Sequence, residues 1–89
     1  MALLDISMEE AIQRADQEQT GDALYDLGIL YSTGQGVEMD YIQAHKWFNL
    51  AALRGVVEAR DWRAEIAREM SMDQIAEAQR QAREWLSTH

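Results

Sequence analysis

Residues 22–55 read DALYDLGILYSTGQGVEMDYIQAHKWFNLAALRG, and this stretch decides the fold. Its first half, with Ala23, Leu24, Tyr25, Leu27, Ile29, Leu30 and Tyr31, is apolar nearly all round. That pattern predicts a helix over about 22–32, buried between neighbours because it has no clear wet face. Ser32-Thr33-Gly34-Gln35-Gly36 ends it, since either glycine takes a positive φ without steric cost. A second helix starts at Asp40, whose carboxylate is a good N-cap, with Gln43 at the matching N3 position. It carries Tyr41, Ala44, Trp47, Phe48, Ala51 and Ala52 as far as Gly55, which reads as a left-handed C-terminal stop.

Working outward, Ser7-Met8-Glu9-Glu10 has the form of a capping box. Met8, Ala11, Ile12 and Ala15 behind it fall on one stripe and predict a helix over about 8–19. Thr20-Gly21-Asp22 breaks it. On the other side, Ala59, Trp62, Ile66, Ala67 and Met70 share one face of a helix over about 56–70, while Arg60, Asp61, Arg63, Glu65 and Arg68 point out. Ser71-Met72-Asp73-Gln74 is a second capping box, opening a last helix with Ile75, Ala78, Ala82, Trp85 and Leu86 buried. The expectation is an all-α chain of about five helices in successive antiparallel pairs, a short α-solenoid. The absence of proline and the scarcity of β-branched residues agree, because a strand-rich fold needs both kinds of signal.

The 89 residues suffice for one small domain. Without cysteine there is no disulfide framework, thiolate zinc site or cysteine nucleophile. No run reaches the length of a membrane span. The start, Met1 to Asp5, lacks a basic and apolar leader pattern, and Ala2 excludes the myristoylation signal. A cytoplasmic location is the expectation, with export by another route left open. The net charge of −8 is uneven. Residues 1–40 carry nine acids against Arg14 alone, whereas residues 41–89 carry seven of each sign. An excess confined to one half gives the surface a direction, although a merely solvated acidic face has the same composition. Nucleic acid is disfavoured as a partner, since phosphate binding needs a basic patch.

Self-similarity is present: Gly21-Asp22-Ala23 returns as Gly55-Val56-Val57-Glu58-Ala59, and a helix–turn–helix unit separates Ala23 from Ala59. The unit over 22–55 resembles the Sel-one-like repeat, a relative of the tetratricopeptide repeats. The pattern runs through Ala23, Leu27, Gly28, Tyr31, Gly34, Gly36 and Val37, then Asp40, Ala44, Trp47, Ala51, Ala52, Gly55 and Ala59. Gly28 and Ala44 lack bulk, so the paired helices can approach closely, and Tyr31 and Trp47 supply large rigid area. Two departures stand out: Glu38 occupies a position where relatives often have proline, and Arg63 falls where the leucine of Leu-Gly would recur. Residues 56–89 therefore read as a degenerate repeat with C-terminal capping helices, and residues 1–20 as an N-terminal cap, all within one domain of 1–89.

Little in the chain points to chemistry. Gly34-Gln35-Gly36 lacks the third glycine and the flanking strand of a phosphate loop. His45 reads as a surface histidine, and its spacing from His89 fits no metal site. Asp16, Glu18, Asp22 and Asp26 lack the register of a calcium loop. Trp47, Trp62 and Trp85 read as core, with Trp85 as the alternative anchor for a partner. No catalytic, cofactor-binding or metal-ligating residue is assigned, and no cofactor is expected. The resemblance implies a non-enzymatic scaffold or adaptor whose concave face takes a peptide or helix of a partner protein. Candidate contact residues are Tyr25, Asp26, Ile29, Tyr41, His45 and Asn49. The acidic half points to a basic partner segment. The alternatives are a self-assembling dimer that buries its own open ends and, more remotely, an enzyme of unrecognised type.

Overall fold

The described residues form five helices, α1 (Met8–Glu18), α2 (Gly21–Thr33), α3 (Tyr41–Leu53), α4 (Val57–Ala67) and α5 (Met72–Thr88). A computed structural model describes residues 7–89. The first six residues of the expected N-terminal cap, with Ala2 and Asp5, lie outside the described residues.

Side-chain caps fix most of the helix starts. Ser7 Oγ accepts from the Glu10 N–H at 3.1 Å, Thr20 Oγ1 from Ala23 at 3.2 Å, and Asp40 Oδ1 from Gln43 at 3.2 Å. At Ser71 the box is complete: its hydroxyl accepts from the Gln74 N–H at 3.1 Å, and Gln74 Oε1 accepts from the Ser71 N–H at 2.8 Å. Thr20, read from the sequence as part of a break, is thus the N-cap of α2. Helix α4 has no side-chain cap at Val56. It is also shorter than expected. Its last turn tightens, the N–H groups of Arg68, Glu69 and Met70 bonding three residues back instead of four.

The hairpin of α2 and α3 is the centre of the molecule. Gly28 lies against the Phe48 ring so closely that a Cβ built there would sit 2.5 Å from Phe48 Cδ1. Phe48, Leu24, Leu27, Leu30 and Leu50 are fully buried. The chain leaves α2 through Gly34 (φ 71°) and leaves α3 through Gly55 (φ 95°), both in the left-handed region expected of them.

The second pair departs from the expected arrangement. Helix α4 packs on α3, but α5 also packs on α3 and touches α4 little beyond their connection. Ala78, Ala82 and Trp85 of α5 are buried there, and Trp85 meets Trp47 edge-on with ring centroids 6.0 Å apart. So α3 has α2, α4 and α5 as neighbours, while α1 lies on α2. With α5 elsewhere, Trp62 is not a core residue; it is 42% exposed. The fold class stands: a short, all-helical, repeat-type array. No helix among the described residues is long and apolar enough to cross a membrane.

Candidate functional site

Because α5 does not lie along α4, a cleft stays open between the C-terminal end of α2, the start of α3 and α4. Its volume is about 470 Å³, and Ser32, Thr33, Tyr41, Trp62, Glu65, Ile66, Arg68 and Glu69 line it. Beneath it runs an aromatic row. Tyr25 of α2 meets Phe48 of α3 at 5.7 Å, tilted by 56°. Phe48 in turn stacks on Trp62 of α4 at 6.3 Å with the planes only 14° apart. One face of Trp62 is therefore supported by a buried ring while the indole remains accessible, a geometry that holds the side chain in place.

Helical spacing brings acids to the same flank. Glu58, Trp62, Glu65 and Glu69 are separated by four, three and four residues, so they follow one line on α4 and its terminal turn. Glu58 and Glu69 have no ion-pair partner among the described residues. Glu65 has Arg68 Nη1 at 3.9 Å, a long contact between two exposed groups. The opposite edge of α4 is occupied internally: Arg63 donates to Asn49 Oδ1 and ties α4 to α3.

The residues assigned to a partner from sequence divide into three sets. Tyr25 and Tyr41 are half-buried and border the cleft or its aromatic floor. Asp26 and Asn49 are half-buried but already partnered: Arg14 Nη1 lies 2.6 Å from Asp26 Oδ2, and Asn49 holds Arg63. Burial outweighs Arg14 at Asp26 and pushes its carboxyl above the ordinary range. Ile29 and His45 are buried, so neither offers a surface to a partner. Both are corrections. Ile29 faces inward on a helix that is covered nearly all round, and His45, expected at the surface, is only 4% exposed.

His45 has a peculiar setting. Its Nδ1 is buried with no hydrogen-bond partner among the described residues, as is Trp47 Nε1. Burial, and secondly the Arg63 cation, hold its imidazole below the ordinary value. The ring is thus neutral packing material between α3 and its neighbours. Among the described residues no group of histidines and carboxylates is arranged to hold a metal ion.

What sequence reasoning missed is the α4 flank: Trp62, Glu65 and Glu69. The available signal was the line of glutamates on both sides of a tryptophan, which a purely internal tryptophan would not require.

Residues 21–56 match the family model of the Sel1 repeat, so the chain carries one such repeat, spanning α2, α3 and the turn that follows. The repeat is a helical, tetratricopeptide-like unit, and the family consists generally of non-catalytic scaffolds for protein interaction. No curated protein and no solved structure matches the chain.

Proposed function

Starting from a chain built around one Sel1 repeat, we propose that the protein is a small adaptor whose α2–α3–α4 cleft binds a basic, amphipathic segment of another protein. The cleft carries this reading. It joins an aromatic floor to a rim where Glu69 is free of an ion-pair partner among the described residues and Glu65 has only a long contact to Arg68, which suits apolar contact flanked by positive charge. The wider surface supports it too, since the chain's net charge of −8 attracts cations from a distance.

The test is binding of labelled amphipathic peptides, one basic and one acidic, followed by fluorescence anisotropy. The basic peptide should bind and should bind more weakly as salt is raised, while the acidic peptide should not bind. Equal binding of both would exclude charge as the selector. A second reading has its own observation: Leu53 and Val57, 61% and 65% exposed, flank the α3–α4 turn and could meet a second copy. Sedimentation that shows concentration-dependent dimers, together with no peptide binding, would favour that reading instead.

A further inference from the structure

We infer that the cleft reads one side chain of its partner above all, an arginine, seated on the free face of Trp62 with its guanidinium turned to Glu65 and Glu69. This rests on the reading of the protein as a binder of basic segments and narrows it to an anchor.

Three observations lead there. Phe48 and Trp62 already form two layers of a parallel stack, at 6.3 Å and 14°, and the indole is 42% exposed. A third planar layer continues that stack, and a guanidinium is planar and weakly hydrated, whereas an ammonium is neither. The cleft also presents Glu65 and Glu69 beside Trp62. A cation placed over an aromatic ring gains most where carboxylates supply the remaining hydrogen bonds, and the forked guanidinium can serve ring and carboxylate at once. Finally, Arg68 borders the same cleft and approaches Glu65 no closer than 3.9 Å. The rim therefore tolerates a guanidinium, and its own cation leaves the acids largely unsatisfied. Arg68 competes weakly with the incoming arginine.

An arginine anchor has a set of effects with opposite signs. The probes are one amphipathic peptide in three forms, with arginine, lysine or citrulline on its polar face. The full chain should bind the arginine form best, the lysine form less well and the citrulline form least, because citrulline keeps the shape and loses the charge. Trp62→Ala and Glu69→Gln should each weaken the arginine peptide roughly fivefold or more, as expected for a half-buried cation–π contact or a charged hydrogen bond. Arg68→Gln should strengthen it. Circular dichroism checks that each variant keeps the parental helicity, and Glu69→Gln, an exposed substitution, carries the test if Trp62→Ala does not. Unchanged affinity in Glu69→Gln, or equal binding of arginine and lysine forms, overturns the anchor while leaving the protein a binder of basic segments. Failure of the parent chain to bind any basic form overturns the broader reading as well.

Discussion

The two helix pairs of this molecule are arranged differently. In the first, α2 and α3 close on each other through Gly28 and Phe48. In the second, α4 and α5 part, and both settle on α3. The Ala23-to-Ala59 offset places Arg63-Ala64 where Leu27-Gly28 stands, and the connection shrinks from residues 34–40, with two glycines, to residues 68–71, with none. The second pair lacks the bare backbone that admits an aromatic ring and the loop that turns one helix back along the other. A helix pair without these two features does not close on itself as α2 and α3 do. The flank of α4 is left uncovered, and the cleft lies there.

The largest expected effect follows from where α5 went. Deleting residues 72–89 should bare the Trp47 side of α3, not the inner face of α4, and the truncated chain should aggregate or lose much of its helicity. The point version is Trp85→Ala, with a cost on the order of 3 kcal/mol for a nearly buried tryptophan. Chemical denaturation measures both, and a truncation that stays monomeric and helical would break the assignment of α5 to α3. Next is Gly28→Leu, where any side chain collides with the Phe48 ring. Overpacking costs about 1–3 kcal/mol, whereas Ala64→Leu at the corresponding exposed site of α4 should stay within about 0.5 kcal/mol of the parent. Equal effects at the two positions would erase the contrast between the pairs.

A smaller effect concerns the start of α5. Ser71→Ala removes a complete capping box and should cost about 1 kcal/mol. The corresponding change at Val56, which caps nothing, should be close to neutral apart from its packing. The smallest effect is the pH dependence set by His45. Its ring is held below 6.5 in the folded protein, chiefly by burial, so the unfolded chain takes up the proton first as pH falls. The stability this group contributes is intact above 6.5 and declines as pH drops through 6.5 toward the folded value. In His45→Leu, thermal melting between pH 7.5 and 5.5 should lose that decline; a parental slope in the variant would assign it to other groups.

Much of this architecture could be read from the residues alone. Ser7, Asp40 and Ser71 are caps, Gly34 and Gly55 are stops, and the Gly28 contact is tight, because each of these depends on chemistry within a few residues or on the absence of a side chain. Trp62 could not be placed in the same way. An apolar residue at helical spacing predicts a buried face, but whether the face is buried depends on which helix arrives to cover it. The same limit misplaced His45, whose polar ring suggested solvent while its position on α3 put it under its neighbours. The charge imbalance between halves was real in sequence but did not locate the site. Residues 41–89 are neutral in sum, yet Glu65 and Glu69 line the cleft with Arg68 alone beside them, while Arg63 turns inward to Asn49. Among the acids of the first half, Asp26 is spent on Arg14.

The two ends of the helical array also meet. His89 stacks on Trp85 at 4.1 Å and brings its Nε2 to 2.9 Å from Asp16 Oδ1, while Arg54 Nε donates to the Gln19 carbonyl. In an open row of repeats, each unit touches only its neighbours, so such rows fold by local propagation and unravel from their ends. Here one exposed side-chain contact, Asp16 to His89, reaches from α1 to the end of α5 across a separation of 73 residues. The contact is thus expected to slow hydrogen exchange in the last turn of α5, a protection that Asp16→Ala should remove.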